Sequence, residues 1–265
     1  MVSAKEIKLK AINSKLANAF IRKHHYSGKV VNNSNLHFGA FLHGNLHGVM
    51  SYGPSLDKSK IMGLVDGTGW NDFIELNRMA FNDYLPRNSE SRCISQSIKL
   101  IKKHAPHIKW IISFADGTSS GDGTIYRASN FVLTGIKENH NICQLPNGEK
   151  VHKMSLESSP ARPRPELGGK SYFDITGGRY DFKKYVEYTG GEILKGFQYR
   201  YIYFIDKKYR DKLTVPEIPF SRIDEIGGGM YRGEKIPISE RQYGGDAVVN
   251  KYIKGIEMKM KVVGT

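Results

Sequence analysis

The stretch 109–115, KWIISFA, is almost continuously apolar and runs into Asp116 and the Gly/Ser-rich segment DGTSSGDG. Such a run is too short for a buried helix. It is rich in isoleucine and aromatic residues, so it predicts a strand. A strand with apolar side chains on both faces needs cover on both sides. The chain must therefore build a layered fold, with helices or further chain packed on each face of a sheet. Asp116 falls at the end of that strand, where open sheets place their ligands.

The flanking segments supply the other layers. Segment 73–81 (FIELNRMAF) alternates and predicts a strand. Segment 89–104 (SESRCISQSIKLIKKH) predicts a helix, with Ile94, Ile98 and Ile101 at helical spacing. Segment 14–23 predicts a first helix capped by Ser14, with Leu16, Phe20, Ala17 and Ile21 toward one face. A weak strand is expected at 6–12. A hairpin is expected from 36–42 and 46–52, turning at Gly44-Asn45. A short helix at 124–130 leads into a strand from 131. These elements give an α+β (α/β-like) class with helices on a mixed central sheet, over a core of 1–140.

The remainder differs in character. Segment 141–210 holds a hairpin turning at Pro146-Asn147-Gly148, the basic Pro-rich loop 158–169, and a strand at 198–205 that closes the core. In that strand Tyr199, Tyr201 and Tyr203 point one way, and Arg200, Ile202 and Phe204 the other. Segment 211–265 is a glycine-rich extension, so the C-terminal region is elaborated and rich in aromatics.

Charge narrows the partners. The 265 residues carry 40 Lys+Arg against 26 Asp+Glu, a formal net charge of +14. The excess is spread, +8 in the first 150 residues and +6 in the rest. Such a field draws in polyanions, nucleic acid first, although a surplus of lysine also serves solubility alone. No apolar run reaches the roughly 20 residues of a membrane span. The first residues lack an apolar signal region, and two cysteines suit a reduced compartment.

Three stretches in order carry a family likeness. His24-His25-Tyr26-Ser27-Gly28-Lys29 leads into Leu36-His37-Phe38-Gly39-Ala40. Glu75-Leu76-Asn77-Arg78-Met79 precedes Leu85-Pro86-Arg87-Asn88-Ser89-Glu90-Ser91. Ser113-Phe114-Ala115-Asp116 precedes Gly123-Thr124-Ile125-Tyr126. Together they resemble the phage Mom family of adenine-modifying proteins, over roughly 15–140. The resemblance implies a GNAT-like fold. It also implies transfer of a carbamoylmethyl (acetamido) group to the N6 amine of adenine in DNA, which protects phage DNA from host restriction. It implies an acyl donor of uncertain identity, acetyl-CoA-like among the options, and a link to iron. It implies as partner double-stranded DNA with a flipped or unpaired adenine, in the cytoplasm of the infected bacterium. One departure stands out. The pyrophosphate loop of GNAT enzymes carries glycines, whereas Pro86-Arg87-Asn88-Ser89-Glu90-Ser91 has none.

Each candidate residue has a plain alternative. Tyr126 can protonate a leaving group or orient the donor, or simply pack at a helix–sheet junction. Asp116 can take a proton from the adenine amine or bind a metal, or serve as a turn carboxylate, as Asp122 does more plainly. His25 can be a base or, with Asp116, an iron ligand; alternatively it is a surface histidine at a helix end, with Tyr26 beside it. Arg78, in an apolar strand, can meet an anion or face solvent. Ser91, Asn88, Ser89 and Arg87 at the start of the 89–104 helix are expected to bind the donor, since free amides and the dipole favour anions there. Arg162, Arg164, Lys183 and Lys184 are expected to contact DNA phosphates. Two other functions stay open: an acyl-CoA-dependent N-acyltransferase acting on a protein or small amine, and a non-catalytic phage DNA-binding protein.

Overall fold

A computed structural model describes residues 3–118 and 121–228, together with the backbone of two further strand pieces. In chain order the elements are β1 (Lys8–Ala11), α1 (Ser14–His24), β2 (Leu36–Leu42), β3 (Asn45–Gly53), α2 (Lys58–Met62), β4 (Phe73–Phe81) and α3 (Ser89–His104). Then come β5 (Trp110–Asp116), α4 (Thr124–Arg127), β6 (Val132–Asn139), β7 (Ile142–Gln144), β8 (Lys150–His152) and α5 (Lys153–Glu157). The chain continues through α6 (Tyr172–Thr176), α7 (Phe182–Thr189), β9 (Glu192–Ile193), β10 (Gly196–Phe204) and α8 (Ser221–Glu225), with β11 (Met230–Tyr231) and β12 (Glu234–Lys235) beyond. Most of the glycine-rich extension lies outside the described residues.

Seven strands form one mixed sheet in the order β1-β2-β3-β4-β5-β10-β6. Every neighbour is antiparallel except β4 and β5, which run parallel because α3 carries the chain back between them. The segment expected as a strand at 198–205 forms β10, which lies between β5 and β6. Its tyrosines and its Ile202/Phe204 set go to opposite faces, as the alternation requires.

Both faces are covered, which explains the apolar β5. On one face Ile94, Ile98 and Ile101 of α3 pack with Tyr52, Leu76, Ile111, Tyr199 and Tyr201. Burying each large apolar side chain contributes about 1.5–3 kcal/mol. On the other face α1 sets Ala17 and Ile21 on Val49 and Ala80. Beside them Trp110, Ile112 and Ile202 meet Leu64, Val65 and Phe73.

The local expectations need three corrections. Asn13, not Ser14, caps α1, its Oδ1 accepting the Leu16 N–H at 2.9 Å. Leu16 is 42% exposed, because the buried stripe of α1 runs through Ala17 and Ile21 instead. The hairpin turns at His43-Gly44 rather than one residue later. Both have positive φ (51° and 84°), and Leu42 pairs with Asn45. Positive φ at both central positions matches the right-handed twist of the flanking strands.

Two irregularities in β4 shape this part of the sheet. Ser51 pairs with Arg78 but Tyr52 with Leu76, so Asn77 is an extra, bulged residue. The bulge resets the alternation, leaving Leu76 and Met79 on the α3 side and Glu75 and Arg78 on the other. In addition, β4 and β5 pair only from Phe73↔Trp110 to Glu75↔Ile112, though both strands continue. Past that point they part, and Ser113 Oγ caps the Leu76 carbonyl at 2.8 Å.

Between β6 and β10 the chain builds an insert with its own small sheet, β8-β7-β9, and its own apolar cluster. Cys143, Leu156, Tyr172, Tyr185 and Val186 form the centre of that cluster.

Candidate active site

The parted ends of β4 and β5 gather side chains from four segments. α1 ends at His25, whose N–H still bonds to the Ile21 carbonyl at 2.9 Å. Gly28, at φ +59°, lets the chain turn at once, its N–H returning to the His25 carbonyl at 2.8 Å. Within this turn His25 Nδ1 accepts the Ser27 N–H at 3.2 Å and lies 2.8 Å from Ser27 Oγ. An N–H can donate only to a bare nitrogen, so the neutral ring carries its proton on Nε2. Burial, and then the charge of Arg78, lower the His25 pKa to about 4. The ring packs on Tyr26 with centroids 4.3 Å apart.

Arg78 reaches this turn from β4. Its Nε donates to the Lys29 carbonyl at 3.1 Å and Nη1 to the Asn77 carbonyl at 2.8 Å. The arginine in an apolar strand therefore faces neither plain solvent nor an empty core, but fixes the loop after α1.

Tyr26 stands at the rim, 57% exposed, yet crowded on its inner side. Partial desolvation, and then the nearby Asp116 carboxylate, push its phenol up to about 12. Asp116 ends β5. Its Oδ1 accepts the Thr118 N–H at 3.0 Å and Asn139 Nδ2 at 3.4 Å. The turn-forming bond expected of an aspartate here is present, and the carboxylate still faces Tyr26 and His152 across the cleft.

Tyr126 comes from α4, which opens on Gly123 at φ +82°. A side chain at Gly123 would collide with the Tyr201 ring, so only glycine lets α4 sit this close to β10. The Tyr126 ring is buried between Phe131 and Tyr201, at 5.4 and 5.2 Å. Burial raises its phenol pKa against a hydrogen bond to Ser113, and Glu75 adds to the rise. The oxygens of Tyr126 and Ser113 thus lie where the two strands part.

His25, Tyr26, Arg78, Asp116 and Tyr126 share one electrostatic neighbourhood. The structure adds three groups that sequence reasoning did not single out. Glu75 is a half-buried carboxylate on the Arg78 face, its pKa raised by burial. Its signal was available, as an acid inside an apolar strand. Lys29 and His152 had no such signal. His152 ends β8, caps α5 of the insert and interacts with Asp116, Lys29 and Arg78.

The expected donor residues lie at the start of α3, beyond the far end of β4. Asn88 adopts φ 64° and makes no side-chain cap. Ser89 Oγ donates to the Pro86 carbonyl and Ser91 Oγ to the Asn88 carbonyl, the latter at 3.2 Å. The hydroxyl protons are therefore committed locally, and the backbone amides of the first turn are the donors such a helix start offers. Arg87 is exposed beside them.

The expected phosphate contacts separate. Arg162, Lys183 and Lys184 are exposed on the insert, Lys183 lying 3.8 Å from Glu187. Arg164 is different: Nη2 donates to the Ser155 carbonyl at 2.6 Å and Nη1 lies 3.8 Å from Glu166. That guanidinium serves the insert's own structure, which argues against the phosphate role expected of it.

The pair His25 and Asp116 does not fit an iron site. His25 Nδ1 is taken by Ser27, and no group of three or more His, Cys, Asp or Glu side chains among the described residues is placed to hold a metal. No described helix is long and apolar enough to cross a membrane.

The chain is similar to known proteins over most of its length. Residues 6–222 match the model of the Mom protein family. The chain is 34% identical over 212 residues to methylcarbamoylase mom of Escherichia phage Mu, covering 80% of this chain and 81% of that protein. Among solved structures, an acetyltransferase of Bacillus subtilis in complex with CoA aligns with TM-score 0.40 and 10% identity, over 75% of this chain and 97% of that one. A GNAT family acetyltransferase from Elizabethkingia anophelis with acetyl-CoA bound aligns with TM-score 0.38 and 13% identity, over 56% and 93%.

Proposed function

The chain belongs to the Mom protein family, and from that premise we propose that it is a DNA-modifying transferase that places a carbamoylmethyl group on the N6 amine of adenine. The observation that carries the reading is the convergence of His25, Tyr26, Arg78, Asp116 and Tyr126 at the parted ends of β4 and β5. The substrate is DNA inside a phage's bacterial host, and the modification shields it from restriction. The formal charge of +14 supports a polyanionic partner. Adenine N6 inside a duplex is poorly placed for such chemistry, so the base leaves the stack to enter the cleft.

In the transfer, the N6 lone pair forms a bond to the methylene carbon of the donor. The bond from that carbon to the donor's leaving atom breaks, and one proton leaves N6. Asp116 accepts that proton. Tyr126, kept protonated by its burial, donates to the leaving group. His25 stays neutral and directs Nε2–H as a hydrogen-bond donor. Arg78 fixes the His25–Lys29 turn and lines the cleft with a positive charge. The donor carries the carbamoylmethyl group through its methylene carbon on a leaving atom, such as the sulfur of a CoA-like carrier, and the anionic part of that carrier sits at the start of α3, near Arg87, Asn88, Ser89 and Ser91. Arg162, Lys183 and Lys184 neutralise backbone phosphates.

The test is nucleoside mass spectrometry of plasmid DNA from cells producing the chain. A modified adenine bearing the mass of one added carbamoylmethyl group is expected in wild type and strongly reduced with Asp116→Asn. Unmodified adenine in cells rich in soluble protein overturns the proposal. DNA binding without modification supports the non-catalytic alternative, and acetyl-CoA turnover on an amine without DNA supports the conventional acyltransferase.

A further inference from the structure

Asn139 is the last residue of β6 and is only 6% exposed. It pairs with Gly196 of β10, while Asp116 pairs with Gln198 of the same strand from the other side. The Asn139 side chain therefore reaches across β10 to meet Asp116. A side chain at Gly196 would strike Thr118, which is 1% exposed and whose N–H also bonds to Asp116.

The amide orientation follows from hydrogen bonding alone. The Asn141 N–H donates to Asn139 Oδ1 at 3.1 Å, and a backbone N–H requires an acceptor. The amide nitrogen must then face Asp116, and Nδ2 lies 3.4 Å from Asp116 Oδ1. Together with the Thr118 N–H it gives Oδ1 two donors. A carboxylate held at one oxygen keeps its plane fixed and presents the other oxygen in a fixed direction. The same amide anchors the insert, since the Asn141 carbonyl in turn accepts the Lys153 N–H at 2.7 Å, next to His152.

We infer that Asn139 is a positioning residue for the transfer, aligning the Asp116 carboxylate and joining it to the root of the insert. The inference rests on Asp116 being the proton acceptor.

The test measures modified adenine in plasmid DNA per unit of soluble full-length protein. It compares wild type with Asp116→Asn, Asn139→Ala, Asn139→Asp and the double variant Asp116→Asn/Asn139→Ala. Asn139→Ala is expected to lower modification about tenfold or more, since a misplaced reacting group costs up to about a hundredfold. Asn139→Asp keeps the acceptor for the Asn141 N–H but turns an acceptor toward Asp116, so it falls at least as far. In the Asp116→Asn background, loss of Asn139 changes the residual modification by less than about twofold. Wild-type modification in Asn139→Ala overturns the inference. Recovery in Asn139→Asp overturns it too, because Asn139 then only anchors the insert. The Asn139→Asp comparison does not depend on any residual activity of Asp116→Asn. Full activity in Asp116→Asn instead removes the role of Asp116, and with it the reading on which the inference stands.

Discussion

Arg78 Nε donates to the Lys29 carbonyl at 3.1 Å, binding a central strand to a turn 49 residues earlier in the chain. The same guanidinium satisfies the carbonyl of the bulged Asn77. The planar fork serves two carbonyls from fixed directions, and a lysine ammonium cannot reproduce that geometry. Arg78→Lys is therefore expected to lower DNA modification at least about tenfold despite keeping its charge. Arg78→Ala leaves both carbonyls without this donor and should cost about 1–3 kcal/mol in denaturant unfolding. Wild-type stability and modification in Arg78→Lys would show that charge alone is needed at this position.

Tyr126→Phe separates packing from chemistry. The ring contacts with Phe131 and Tyr201 survive the substitution, and only the bond to Ser113 is lost. Stability should fall by about 0.5–1.5 kcal/mol, the net worth of one hydrogen bond. If the phenol is the proton donor, modification should fall about a hundredfold or more, the usual scale of a general acid. A variant with normal modification assigns Tyr126 to the core alone.

The sequence revealed those elements whose cause is local. The isoleucines of α3 and the alternation of β4 depend on periodicity, and the structure returns both segments with the expected bounds. The hairpin turn slipped by one residue because His43 takes a positive φ that glycine or asparagine more often supplies. The bulge at Asn77 is marked only by two consecutive polar residues, Asn77-Arg78, a weak signal in so short a strand. Yet it is what puts Glu75 and Arg78 on one face. Asn139 and His152 were illegible for a deeper reason: their neighbours in the site are set by strand order and by the insert's fold, both of which are long-range. Arg164 looked like the equal of Arg162 in sequence. Only the fold shows that Ser155 and Glu166 claim it.

His25 makes a pH prediction with a definite sign. Its pKa falls from the ordinary 6.5 to about 4 in the fold. Between these values the unfolded chain binds more protons at this position than the folded chain, so the His25 contribution to stability falls as pH drops from 6.5 to 4 and is constant above 6.5. His25→Asn keeps a side-chain acceptor for the Ser27 N–H without a titrating ring. Its melting temperature should therefore decline less steeply than wild type over that window, as calorimetry at several pH values can read. Parallel curves would show that His25 keeps an ordinary pKa.

Arg162 and Arg164 lie two residues apart but should fail in different ways. Arg162 is exposed on the insert, where an arginine that contacts a phosphate contributes about one unit to the slope of log binding constant against log salt. Arg162→Ala should reduce that slope by about one in duplex DNA titrations and leave the melting temperature unchanged. Arg164 is enclosed, with Ser155 and Glu166 as partners, and Tyr185 donates to the same Glu166 at 3.1 Å. Removing the guanidinium leaves a largely buried carboxylate without its cation, so Arg164→Ala should destabilise the protein by about 1–3 kcal/mol. Its salt slope should stay at the wild-type value while the fold persists. The reverse pattern, with Arg164→Ala changing the slope and Arg162→Ala only the stability, would place the DNA on the enclosed side of this loop.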